Sequence, residues 1–165
     1  MDQDPRQTKT VEMENAKPSS VGRVFVSHSS HDRAAALEIV AALEKNGVPC
    51  WIAPRDIPAG VDYNKAIMEG ITHSRALLLI YTRRSNASEP VHSEVDRARN
   101  RKLPIIPVRL VDEQPTPSLE LLISRFQWID AYPPPLRSHL DDLVRAVQLT
   151  LGASMTLVEP AKART

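Results

Sequence analysis

The stretch Arg75-Ala76-Leu77-Leu78-Leu79-Ile80-Tyr81 constrains the fold more than any other. Successive side chains of a strand point to opposite faces, so an apolar run without alternation needs cover on both. Helices packed on the two faces of a parallel sheet supply such cover. The remaining segments must therefore provide further strands, and helices for both sides.

They do so in alternation. Residues 23–27 read as a first strand. Asp32 is placed to cap a helix running to Asn46, with Ala36, Ile39, Val40 and Leu43 on one face and Gly47 as its stop. Residues 48–52 read as a second strand, and 53–60 as a loop broken by Pro54, Pro58 and Gly60. A helix is expected over 62–73, with Ile67 and Ile71 one turn apart. Beyond the 75–81 strand, Ser88 caps a helix whose apolar face is Val91, Val95 and Ala98. Residues 104–110 read as a strand whose prolines place it at an exposed or edge position. Residues 112–124, rich in proline, read as poorly ordered, and 126–129 as a short fifth strand. Pro133-Pro134-Pro135 enters a last helix over 136–151, with Leu140, Leu143, Val144 and Val147 inward. Residues 1–20 and 153–165 carry few large apolar side chains and read as disordered tails flanking a globular unit at 21–152.

Strands alternating with helices imply an α/β fold, a flavodoxin-like five-stranded parallel sheet in the order 2-1-3-4-5. Ligands of such sheets bind beyond the carboxyl ends of the strands at the switch point, here between the first and third. That rule selects residues 27–31 and 82–94.

Several side chains there carry chemistry. Glu94 lies between Val91 and Val95 in sequence, at the border of a buried helix face. A partly desolvated carboxylate facing a cleft acts as an acid, a base or a cation stabiliser; the alternative is an exposed glutamate paired with Arg97 or Arg101. The cluster Ser27-His28-Ser29-Ser30-His31-Asp32 admits a hydrolase triad, a metal site from His28, His31 and Asp32, or a plain loop in which Asp32 caps the helix. Adjacency argues against the triad, whose members converge from separate segments, and the metal lacks a fourth ligand. Arg55-Asp56 is either a salt-linked turn or an interaction tip. Trp51 reads as core. Arg83-Arg84 and Arg97-Arg99-Arg101-Lys102 read as solvated helix faces, with phosphate binding as the alternative.

Bulk properties exclude other classes. With 165 residues, 42% hydrophobic and 25% charged, the chain fits one core-forming domain. A net charge of +1 leaves no electrostatic footprint for nucleic acid or an anionic membrane. The single cysteine, Cys50, rules out an internal disulfide and argues against a cysteine zinc site, which fits a reducing, cytoplasmic setting. No apolar run approaches the ~18 residues of a membrane span. Neither a Gly-rich dinucleotide fingerprint nor a P-loop is present. No metal and no resident cofactor are expected.

The residues nevertheless resemble a known family. Val24-Phe25-Val26-Ser27-His28-Ser29-Ser30-His31-Asp32 is similar to the first box of TIR (Toll/interleukin-1 receptor) domains. Trp51-Ile52-Ala53-Pro54-Arg55-Asp56-Ile57-Pro58-Ala59-Gly60 resembles the second box, the BB loop, in its bacterial form. Ser85-Asn86-Ala87-Ser88-Glu89-Pro90-Val91-His92-Ser93-Glu94-Val95 resembles the segment that holds the glutamate of enzymatic members. The likeness spans about residues 22–150.

This resemblance implies cleavage of NAD+ at the nicotinamide–ribose bond, giving nicotinamide and ADP-ribose or a cyclic form of it, in prokaryotic, anti-phage defence. It implies that Glu94 is the catalytic residue, that His28, Ser29, Ser30 and Ser88 contact substrate, and that Arg55, Ile57 and Gly60 gate the pocket or touch a neighbouring subunit. It also implies self-association as part of the mechanism. Two positions depart from the pattern. Pro90 stands where several active members carry an aromatic residue, and His28 where tyrosine is common. Activity would then be weak, conditional, or supported by another aromatic such as Trp51 or Tyr81. The competing expectation is a non-catalytic module that docks on other TIR domains, host signalling proteins included.

Overall fold

A computed structural model describes residues 22–156, with side chains to 152. The expected tails fall outside the described residues, except that the last helix continues to Thr156. Five strands form one parallel sheet in the order β2-β1-β3-β4-β5: β1 (Arg23–Ser27), β2 (Cys50–Trp51), β3 (Ser74–Tyr81), β4 (Ile105–Arg109) and β5 (Ile129–Asp130). Six helices accompany them: α1 (Arg33–Lys45), α2 (Tyr63–Thr72), α3 (Arg83–Asn86), α4 (Glu89–Asn100), α5 (Pro117–Ile123) and α6 (Leu140–Thr156). The architecture is the expected flavodoxin-like one.

β3 is buried on both faces. Ala76, Leu78 and Ile80 join the core under α1 and α6, with Ile39, Leu43, Leu143 and Val147. Leu77, Leu79 and Tyr81 join the core under α2, α4 and α5, with Ile71, Val91, Val95 and Ile123. Period-two alternation thus divides one strand between two apolar layers.

Local chemistry sets the element ends. Gly47, at φ 81°, stops α1 in a conformation that a side chain would strain. The Asp62 carboxylate accepts from the Lys65 N–H at 2.8 Å and starts α2. The second strand is shorter than expected because the loop beyond it claims Ile52. The Ile52 N–H donates to Asp56 Oδ2 at 2.9 Å, and its carbonyl accepts from the Asp56 N–H at 2.9 Å.

Four expectations need correction. β4 is not an edge strand; it lies between β3 and β5, with Pro107 buried. Leu110 N–H donates to Tyr81 on β3, whereas the Arg109 carbonyl accepts from Ala131. By alternation, the side of Pro107 that lacks a donor faces β5, and β5 pairs only with Val108 and Arg109. Residues 112–124 are not irregular throughout: α5 forms there because Leu119 and Ile123, one turn apart, are both fully buried. Pro117 occupies its first turn, where a missing N–H is harmless. The fifth strand is Ile129–Asp130, later than 126–129, since Phe126 and Trp128 pack on the second core instead. A 3-10 turn, Leu136–His139, precedes α6, which ends at Thr156 and not at Leu151.

Close packing makes one position intolerant. A Cβ on Gly70 would lie 2.8 Å from Trp51 Cε2 and 2.9 Å from Cδ2. Trp51 is pinned by Phe25, with ring centroids 5.0 Å apart and planes 11° from parallel. Gly70→Ala gains ~1 kcal/mol of helix propensity but overpacks by ~1–3 kcal/mol. The urea midpoint should therefore fall. An unchanged or raised midpoint would show that Trp51 yields freely.

Candidate active site

The carboxyl ends of β1 and β3 are tied together by side chains. Thr82 and Ser85 form a reciprocal capping box that starts α3, with Ser85 Oγ accepting from Thr82 N–H at 2.8 Å and Thr82 Oγ1 from Ser85 N–H at 3.1 Å. Thr82 Oγ1 in turn donates to the Asp32 carboxylate. Asp32 therefore occupies the N-cap position of α1 without capping it; its side chain is spent across the switch point. Ser29 Oγ accepts from His31 N–H at 3.3 Å and starts the 3-10 turn Ser30–Asp32. Ser88 Oγ accepts from Val91 N–H at 3.4 Å and starts α4, as expected.

A cleft of about 860 Å³ opens at this edge. Glu94 lines it from α4, half-buried, and Ser27, fully buried at the end of β1, donates its hydroxyl to Glu94 Oε2 at 2.6 Å. Burial pushes the Glu94 carboxyl up to about 7, and the Ser27 hydroxyl only partly opposes this. Among the described residues no cation pairs with it: the expected alternative, a surface pair with Arg97 or Arg101, does not form. His28 Nδ1 lies 2.8 Å from the Ser29 carbonyl and Nε2 3.3 Å from the Ala53 carbonyl, so its ring bridges the first-box and second-box loops.

Of the sequence-selected residues, His28, Ser29, Ser30, Ser88 and Glu94 converge on this cleft. Arg55, Ile57 and Gly60 do not. Arg55 folds back on α1, 2.6 Å from Glu44, 2.9 Å from Asp56, and donating to the Cys50 carbonyl at 3.2 Å. Ile57 packs against the second core, and Gly60 sits in the exposed loop at φ 79°. From that loop only Ala53 and Pro54 reach the cleft. Nor can Trp51 or Tyr81 supply an aromatic surface: Trp51 stacks on Phe25, and Tyr81 packs edge-on against Trp128 at 4.9 Å. The exposed aromatic of the cleft is Tyr63, first residue of α2 and 57% exposed. Sequence reasoning passed over it, although an aromatic directly behind a helix cap at the end of a Pro/Gly loop is a readable signal. It also passed over Arg33. Arg83 and Arg84 were read as a solvated face; they are exposed but border the same cleft.

Among the described residues no group of His, Cys, Asp and Glu could hold a metal ion, and no helix is long and apolar enough to cross a membrane. His28 faces two carbonyls and Asp32 is engaged by Thr82, so the contiguous cluster forms neither a triad nor a ligand set.

The raised Glu94 carboxyl has a stability consequence. The folded chain holds this proton to higher pH than the unfolded chain, so folding stability falls as pH rises from the ordinary glutamate range through about 7. Glu94→Gln removes the dependence. Its stability advantage over wild type should grow between about pH 5 and pH 8 to at most on the order of 3 kcal/mol. Urea midpoints of the two proteins at both pH values check this; a constant gap would mean an unperturbed carboxyl.

The family model for the TIR domain matches residues 24–144. No match is found among curated proteins. Among solved structures, the TIR domain of the Toll-related receptor TRR-2 from Hydra magnipapillata is 18% identical with a TM-score of 0.62, over 77% of this chain and 98% of that one. The TIR domains of the activated Roq1 resistosome are 13% identical with a TM-score of 0.62, over 76% of this chain and 99% of that one. The CMP N-glycosidase BcmB of Clostridium botulinum is 16% identical with a TM-score of 0.53, over 73% of this chain and 97% of that one. At such identities these structures share the fold alone. The family match runs from β1 into α6 and takes in the segments that form the Glu94 cleft, and on that ground the chain belongs to the TIR domain family.

Proposed function

We propose that the chain cleaves NAD+ at the nicotinamide–ribose bond, with Glu94 as the catalytic carboxylate. The observation that carries this reading is a half-buried carboxylate in the switch-point cleft, held by Ser27 and paired with no cation among the described residues. The C1′–N bond breaks, its electron pair stays with nicotinamide, and nicotinamide leaves as a neutral ring. No acid is needed for the leaving group. Positive charge develops on the ribose, where a nearby carboxylate stabilises it most in a site that excludes water. Glu94 also accepts from the ribose hydroxyls. Water then adds at C1′ and loses a proton, giving ADP-ribose; attack by an adenine nitrogen gives a cyclic product. NAD+ is here a substrate and not a resident cofactor. The name of one fold relative, a CMP N-glycosidase, supports glycosidic-bond chemistry in a cleft of this fold.

Tyr63 takes the part expected of Trp51 or Tyr81, offering a ring face to the nicotinamide or adenine base. Self-association and a role in defence complete the reading; the Roq1 resistosome, a fold relative, supports assembly as a mode of action for this fold. One observation favours a docking role for part of the second-box loop. Arg55 and Ile57 lie outside the cleft, so partner contact fits them better than substrate contact. Substituting either should weaken self-association and leave nucleotide binding by the monomer unchanged.

Purified protein incubated with NAD+, with and without a crowding agent, should release nicotinamide, and Glu94→Ala should abolish release. In the wild type kcat/KM should rise with pH through about 7, as the carboxyl ionises. No release under any assembling condition, or equal release by wild type and Glu94→Ala, would overturn the proposal. Loss of a stacking face costs ~1–3 kcal/mol per base. Tyr63→Ala should therefore raise KM about tenfold or more and Tyr63→Phe should not. Equal KM values in all three would remove Tyr63 from the site.

A further inference from the structure

Among the described residues three arginines border the Glu94 cleft, and Glu94 is the one carboxylate that lines it. Arg33 opens α1; Arg83 and Arg84 open α3. The Arg83 guanidinium is held by Glu113 through Nε and Nη2. Arg33 and Arg84 have no ion-pair or hydrogen-bond partner among the described residues, and both are exposed. On a convex surface such arginines would be ordinary solvated side chains. These two come from separate segments onto one concave site.

Their backbones are also held together. The hydrogen bond from Thr82 to Asp32 joins the residue before Arg33 to the residue before Arg83. The Thr82–Ser85 capping box fixes the α3 turn that presents Arg84. Arg83 is paired with Glu113, so the positive field of this wall comes from Arg33 and Arg84. Concave walls focus that field, and a guanidinium matches two phosphate oxygens at once.

We propose that Arg33 and Arg84 form a phosphate-recognition site at the lip of the Glu94 cleft, so that the cleft selects a phosphorylated nucleotide over the free nucleoside. The proposal rests on the nucleotide reading of this cleft and goes beyond it by assigning the residues that read the phosphate. They are positioning and specificity residues; the reacting bond belongs to Glu94.

The test is equilibrium binding to full-length Glu94→Gln, which removes cleavage, with NAD+ and nicotinamide riboside as probes. The second probe keeps the reacting nicotinamide–ribose end and lacks phosphate. In this background Arg33→Ala and Arg84→Ala should each weaken NAD+ binding about tenfold, and the double variant more. Nicotinamide riboside affinity should stay unchanged. NAD+ affinity should also fall with added salt, and lysine at either position should restore part of it. Both side chains are exposed, and unchanged circular dichroism confirms folding. An unchanged NAD+ affinity in the double variant, or equal weakening of both probes, overturns the arginine site and leaves the Glu94 chemistry standing. Binding of neither probe by the folded Glu94→Gln protein, together with no nicotinamide release by wild type, overturns the nucleotide reading and this site with it.

Discussion

Burial of β3 on both faces is the constraint from which the rest follows. Leu77, Leu79 and Tyr81 need one apolar layer, while Ala76, Leu78 and Ile80 need another. Both must be helical, because each strand has to return to the same end of the sheet through a covering segment. All strands are then parallel, and their carboxyl ends share one edge. Because β1 lies between β2 and β3, the connections diverge there and leave a gap. The cleft follows from the strand order before any catalytic side chain is considered.

Two hydrogen bonds across that gap convert it into a site. Thr82 to Asp32 ties the loop after β1 to the turn after β3, and Ser27 to Glu94 ties β1 to α4. Burying Glu94 there has a cost, which the Ser27 hydroxyl only partly offsets. A carboxyl without a cationic partner in a half-buried position resists ionisation, which is what burial does to Glu94. The same desolvation strengthens its interaction with a developing cation. Under the proposed chemistry, stability above neutral pH is thus exchanged against electrostatic power at Glu94.

The corrected expectations share a cause. The prolines of β4 suggested an edge from local chemistry alone, but the missing Pro107 donor is harmless only because β5 is short. Proline content around α5 hid Leu119 and Ile123, whose helical spacing was present in the sequence. Asp32 looked like a cap, and across the chain Thr82 competes for its carboxylate. Arg55, expected to gate the pocket or touch a neighbouring subunit, forms the salt-linked turn that the sequence also offered, with Glu44 added from α1. For β4 and Asp32 a partner distant in the sequence decided the outcome; for α5 the proline content masked a spacing that was already there.

Periodicity, caps and the ordered boxes determined by themselves the α/β class, the strand order and the edge that carries the cleft, and they singled out Glu94 beside it. These are properties of a few residues at a time, and hydrophobic spacing encodes them directly. Tertiary structure alone decided that Ser27 holds Glu94, that Tyr63 and not Trp51 or Tyr81 faces the cleft, and that Arg33 and Arg84 border the same cleft. Those pairings join residues far apart in the chain, and only the packed positions of β1, α2, α3 and α4 bring them within reach.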